Sequence, residues 1–92
     1  IVYRIKENDY LIVVNAGNID KDWNWFTKFN TKGATLKNLS DEYCLFAVQG
    51  PKAITVLQKL TSTDLSAIKY YHFSIGEFAG VQDVIMSNTG YT

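Results

Sequence analysis

The sequence predicts an α+β domain: an antiparallel sheet with two helices packed on it, of the split-βαβ (ferredoxin-like) kind. Three observations predict it. The first fourteen residues carry a hairpin pattern, two later stretches space their apolar side chains as helices do, and β-prone runs return after each of those stretches. The expected order is ββαββαββ, without internal repeats or low-complexity linkers.

Ile1-Val2-Tyr3-Arg4-Ile5-Lys6 is apolar-rich, and Glu7-Asn8-Asp9 is a polar turn before the run Tyr10-Leu11-Ile12-Val13-Val14, which together read as a hairpin. The turn Asn15-Ala16-Gly17-Asn18 follows, and then a helix whose apolar positions are Ile19, Trp23, Phe26 and Phe29. Asn18 is the expected N-cap, Asp20 complements the helix dipole, and Gly33 is placed to stop the helix. Trp23 and Phe26 are expected in the core, with Trp25 off the stripe and turned toward a neighbouring domain.

Thr35-Leu36-Lys37-Asn38-Leu39 reads as a partly exposed segment and Ser40-Asp41-Glu42 as a turn. Residues 43–49, Tyr-Cys-Leu-Phe-Ala-Val-Gln, have almost no polar interruption and predict a central strand buried on both faces. Gly50-Pro51 would open a second helix with proline at its first position, and Ala53, Val56, Leu57 and Leu60 supply its apolar stripe. Thr61-Ser62-Thr63-Asp64 offers caps for a short turn near Lys69. A strand over residues 70–78, the turn Ala79-Gly80 and a strand over residues 81–87 complete the order, leaving Asn88-Thr89-Gly90-Tyr91-Thr92 as an exit loop.

Ninety-two residues, 47% of them apolar, suffice for one small domain spanning 1–92. Nine basic and nine acidic side chains balance, and a single arginine, Arg4, provides no cluster for phosphate or nucleic acid. The lone Cys44 cannot form an intrachain disulfide and reads as a buried thiol, which fits a reducing, cytoplasmic compartment. No apolar run approaches the length that crosses a bilayer. With no initiating Met and with strands at both ends, the chain is expected to be an internal fragment of a larger protein.

The candidate binding groups are amides. Asn15 directly follows a hydrophobic run and is not needed as the helix cap, so its donors and acceptor are free for a heterocycle. Gln49 could meet a ligand or bond its adjacent turn, the second being the ordinary role of such a residue. His72 has no Cys, Asp or second His at metal-ligand spacing and reads as a strand residue. No glycine-rich phosphate loop and no paired nucleophile and base occur, so the residues alone describe a binding domain.

Three segments taken together resemble the glycine cleavage system T-protein (aminomethyltransferase) family. They are Val13-Val14-Asn15-Ala16-Gly17-Asn18-Ile19-Asp20-Lys21-Asp22, then Leu45-Phe46-Ala47-Val48-Gln49-Gly50-Pro51-Lys52-Ala53, then residues 83–92 ending in Asn88-Thr89-Gly90-Tyr91-Thr92. The resemblance implies tetrahydrofolate as cofactor and the lipoyl-bearing H-protein as partner. It also implies a reaction in which an aminomethyl group on the lipoyl arm loses ammonia and its carbon passes to tetrahydrofolate. By the same resemblance Tyr3, Val13, Asn15 and Tyr91 are the cofactor-binding positions. Their chemistry is suitable, because a flat pterin with an amide-like edge matches an aromatic platform plus a side-chain amide. Gly17 departs from the family, which usually has Ser or Ala there.

The family's catalytic aspartate would lie just before Ile1, and a pterin-binding acidic group beyond Tyr91, so the fragment is expected to be inactive alone. Folate-binding relatives supply the alternatives. One is a non-catalytic factor for iron–sulfur proteins or tRNA modification, marked by a cysteine motif further along the chain. The other is the folate domain of a flavin-dependent demethylase, joined to a dinucleotide-binding domain.

Overall fold

The computed structural model describes residues 1–90. Its chain divides into two compact units, the first being Ile1–Leu45 and the second beginning at Phe46. Both are α+β, each with one two-stranded antiparallel sheet and one α-helix.

In the first unit β1 (Val2–Lys6) pairs with β2 (Asp9–Ile12), setting Val2 opposite Ile12, Tyr3 opposite Leu11 and Arg4 opposite Tyr10. Asn8 turns the chain at φ 62°, a left-handed conformation that asparagine tolerates better than most residues. The ladder runs one pair past β2, because Val13 N–H donates to the Ile1 carbonyl (2.9 Å) and the Ile1 nitrogen donates to the Val13 carbonyl (3.0 Å). Period-two alternation then sorts the side chains: Tyr3, Ile5, Leu11 and Val13 are buried or half-buried, while Val2, Arg4, Tyr10 and Ile12 face solvent.

A single 3-10 turn, Ala16–Asn18, leads into α1 (Ile19–Phe29). Asp20 and Asp22 in its first turn and Lys28 in its last complement the helix dipole as expected. Its ends differ from expectation. Asn18 occupies the cap position without a side-chain cap bond, and the helix stops at Asn30, whose Nδ2 donates to the Ala34 carbonyl at 2.6 Å. Gly33, at φ 81°, lies past the end instead of forming it.

No residue of α1 is buried. Trp23 is half-buried and Phe26 exposed, because a two-stranded hairpin has too little surface to cover an aromatic stripe. Trp25 instead packs on Phe29 one turn along, with ring centroids 4.4 Å apart and the Lys28 ammonium 5.3 Å from the Phe29 ring.

The largest departure is the expected central strand. Residues 43–49 form no regular element and every one is exposed, Phe46 at 83%; Cys44 is an exposed thiol, not a core one. A β-prone run becomes a strand only when another strand meets its backbone, and residues 43–49 have a 3-10 turn (Ser40–Glu42) before them and the Gly50-Pro51 turn after them. The order is therefore ββααββ across two separate sheets. The interleaved ββαββαββ order is not formed by the described residues.

The second unit opens with α2 (Ala53–Leu57), continued by a 3-10 turn, Gln58–Leu60. Pro51 sits in the preceding turn, with Lys52 at the cap position, so proline is not the first helical residue. A further 3-10 turn, Leu65–Ala67, is capped as expected by Asp64, whose Oδ1 accepts from Ser66 N–H (3.1 Å). β3 (His72–Phe78) and β4 (Val81–Asn88) then close through Ala79 (φ 51°) and Gly80 (φ 82°), a two-residue turn of the left-handed type that matches strand twist.

Leu65, Ile68 and Met86 make the buried cluster of this unit, with Leu57, Phe78 and Val84 packed against it. Burying each of the three contributes about 1.5–3 kcal/mol. The loop that brings Leu65 and Ile68 inward is held by Gln58: its Nε2 donates to the Thr61 (3.1 Å) and Thr63 (2.7 Å) carbonyls, and its Oε1 accepts from Leu65 N–H (2.9 Å). Thr61 Oγ1 donates to the Glu77 carbonyl (2.7 Å) and Ala79 N–H to the Leu60 carbonyl (2.7 Å), tying that loop to the β3–β4 hairpin.

Candidate functional site

The β1–β2 hairpin places two of the sequence-predicted positions together. Tyr3 is 8% exposed, making it the buried residue of the first unit, and Val13 belongs to the same hairpin face, since Ile1 lies opposite Val13 just as Tyr3 lies opposite Leu11. Both backbone polar groups of Val13 are committed to Ile1. What Val13 can present to a ligand is therefore its apolar side chain.

Asn15 follows two residues later, exposed, with extended backbone (φ −67°, ψ 138°). Its carbonyl accepts from Asn18 N–H (2.9 Å), closing the 3-10 turn, while its side chain makes no cap bond. The backbone thus does the structural work and the amide stays uncommitted within the described residues. An amide with two donors and an acceptor, held at a fixed strand end beside an apolar face, can read a planar heterocycle with both donor and acceptor groups.

Tyr91, the fourth expected position, lies outside the described residues. Just before it, Gly90 takes φ 65° with the Tyr70 ring against it: a β-carbon there would stand 2.6 Å from Tyr70 Cε2. Tyr70 went unnoticed in the sequence because its partner is twenty positions away and nothing in the local pattern marks the contact. Its phenol is raised above the ordinary tyrosine pKa, chiefly by the charge of the neighbouring Tyr71 phenol.

The remaining polar candidates are placed as follows. Gln49 is exposed at no strand end, because the strand before it does not form. His72 opens β3 opposite Asn88, and its Nδ1 lies 3.0 Å from the Tyr70 carbonyl, which sets the ring proton on Nδ1. No group of three or more His, Cys, Asp or Glu side chains gathers where a metal could be held among the described residues. No helix among them is long and apolar enough to cross a membrane.

Known proteins relate to this whole length. The chain is 61% identical over 92 residues to a Bacteroides thetaiotaomicron protein named Aminomethyltransferase, covering all of this chain and 26% of that protein. Identity to the proteins of the same name from Flavobacterium psychrophilum and Natranaerobius thermophilus is 56% over 92 residues and 50% over 93, covering 26% and 25% of them. The chain thus spans about a quarter of the length of the curated relatives it matches. No solved structure matches it. The profile of the GCVT N-terminal domain matches residues 1–92 from end to end, and the chain belongs to that family.

Proposed function

We propose that this chain is part of a tetrahydrofolate-dependent aminomethyltransferase of the glycine cleavage system, acting on aminomethyl-lipoyl H-protein with release of ammonia. The observation that carries this reading is identity of 50–61%, across all 92 residues, to proteins named Aminomethyltransferase. The geometry of the first unit supports it. A buried tyrosine and a half-buried valine share one hairpin face, and an amide with no partner among the described residues stands at that hairpin's end.

These residues fit a pterin. Tyr3 and Val13 would supply aromatic and aliphatic surface, Asn15 the hydrogen bonds that select one edge of the ring, and Tyr91 a further aromatic contact. When bound, tetrahydrofolate supplies the nitrogen that accepts the one-carbon unit. The work of this chain's residues is to hold and orient: two reactants kept in register gain much of the rate that free diffusion denies them. A compartment that keeps the exposed Cys44 reduced, the cytoplasm, belongs to the same reading. So does a single domain over 1–92 of split-βαβ form, in which residues 43–49 pair as a strand within the complete protein.

The test is ammonia release from aminomethyl-loaded H-protein by the complete protein, with and without tetrahydrofolate. Folate-dependent release supports the reading; folate binding without release points to a folate-binding relative with other chemistry. Asn15→Ala is expected to raise the KM for tetrahydrofolate about fivefold to tenfold, the loss of one or two hydrogen bonds to a neutral ligand. An unchanged KM removes Asn15 from the site.

A further inference from the structure

The six glycines of this chain do not stand on an equal footing. Gly33, Gly50, Gly80 and Gly90 have left-handed backbone, where a side chain would be strained. A β-carbon at Gly76 would press to 3.3 Å from Thr63 Oγ1 and 3.5 Å from Met86 Cε. Gly17 has neither reason: its φ lies outside the left-handed region, and nothing stands within 4 Å of the place a β-carbon would take. The geometry accepts alanine there. What glycine alone contributes at this position is backbone freedom.

That freedom falls in the turn that carries Asn15. The 3-10 turn Ala16–Asn18 is closed by backbone bonds, from Asn18 N–H to the Asn15 carbonyl (2.9 Å) and from Ile19 N–H to the Ala16 carbonyl. No side-chain cap braces it: Asn15 and Asn18 make no cap bond, and Asn15, Ala16 and Gly17 are all exposed. A single exposed turn held in this way opens locally at little cost, so the propensity of its residues sets how often it is closed. Opening releases the Asn15 carbonyl, and with it the fixed relation between the Asn15 amide and the hairpin end at Val13.

We propose that Gly17 is a positioning residue that sets the affinity for tetrahydrofolate: by loosening the turn it lowers the fraction of molecules in which the Asn15 amide is held ready. This rests on the folate reading given above, with Asn15 as the group that reads the ring edge. Gly17 touches no ligand and acts through Asn15. Apparent affinity falls in proportion to the competent fraction. Alanine in place of a glycine whose backbone it can adopt shifts such an equilibrium by about twofold to fivefold, which bounds the effect.

The experiment compares Gly17→Ala, Ala16→Gly and Asn15→Ala, together with each turn substitution combined with Asn15→Ala, in the complete protein. It measures KM for tetrahydrofolate, kcat for ammonia release and the thermal midpoint. Gly17→Ala is expected to lower KM about twofold to fivefold, and Ala16→Gly, which puts a second glycine into the turn, to raise it by a similar factor. The change should sit in KM, with kcat moving less than about twofold. With Asn15→Ala present both shifts should vanish, because the turn then has no amide to aim. A merely structural role would move the midpoint and leave KM alone, or shift KM equally with and without Asn15; either result overturns the proposal. If Asn15→Ala raises KM and Gly17→Ala does not lower it, the positioning role is overturned while the folate reading stands. Should Asn15→Ala leave KM unchanged, Asn15 drops out of the site and the role of Gly17 with it. If Gly17→Ala does not fold, Ala16→Gly carries the test: a raised KM that depends on Asn15 supports the proposal, and an unchanged one overturns it.

Discussion

Two apolar runs of similar composition meet opposite fates in this molecule. β4, with Val81, Val84, Ile85 and Met86, forms a strand and buries Met86, whereas residues 43–49, with Tyr43, Leu45, Phe46 and Val48, form nothing and stay in water. The difference is a neighbour. β4 folds back on β3 through two residues whose left-handed backbone suits a hairpin, so its partner is reached at almost no loop-closure cost. Residues 43–49 have no strand within a turn's reach on either side. Strand propensity describes a side chain's fit to a pleated surface, and that surface must first exist.

The largest effect that would break this comparison is in the β4 core. Met86→Ala is expected to destabilise the protein by about 2–5 kcal/mol, because it leaves a cavity between Leu65 and Ile68; a urea unfolding midpoint checks it, and a change under about 0.5 kcal/mol would mean the cluster is not holding the hairpin. A second substitution sharpens the other side. If residues 43–49 pair in the complete protein, Phe46→Asp should cost roughly 2–3 kcal/mol there, the burial of a phenylalanine side chain. A cost near zero would show that this run stays solvated.

The smallest effect concerns alkali at the far end of the same hairpin. The Tyr70 phenol has its pKa raised by Tyr71, so the folded state favours its protonated form. That contribution is fully present below the ordinary tyrosine range and is lost as pH rises through the raised value. Ultraviolet titration should therefore show tyrosine ionisation extending above the normal range, and Tyr71→Phe should bring it back. No change between neutral and mildly alkaline pH is expected from this pair.

The hairpins show how much of the fold was legible. Glu7-Asn8 and Ala79-Gly80 each sit between β-prone runs a few residues apart, and both hairpins formed, with β2 ending two residues early at Ile12, β3 starting two residues late at His72 and β4 running one residue further, through Asn88. α1 was legible from Ile19, Trp23, Phe26 and Phe29, and the Asp64 cap from its place before a short turn. Where the reading failed, the deciding contact was distant. Cys44 was assigned to a core through a strand that lacks a partner, and Trp23 and Phe26 through a helical stripe that says which residues share a face but not what covers it.

The candidate site divides in the same way. The family blocks named Tyr3, Val13 and Asn15, and the hairpin register explains why the first two share a face. Why Asn15 keeps a free amide was decided by its own carbonyl, which closes the turn in the side chain's place. The contact of the Tyr70 ring with Gly90 was invisible because the two lie twenty positions apart, on either side of a strand pair.

By itself, then, the sequence determined the family, the two hairpins, the first helix and the residue types that suit a flat heterocycle, because each depends on side chains within one or two turns of each other. Only the tertiary structure decided which apolar runs are covered, which polar groups are already spent on backbone partners, and that the Tyr70 ring closes over Gly90. Those outcomes depend on which distant surfaces meet, and local preference, worth a fraction of a kcal/mol per residue, is too weak to choose among them.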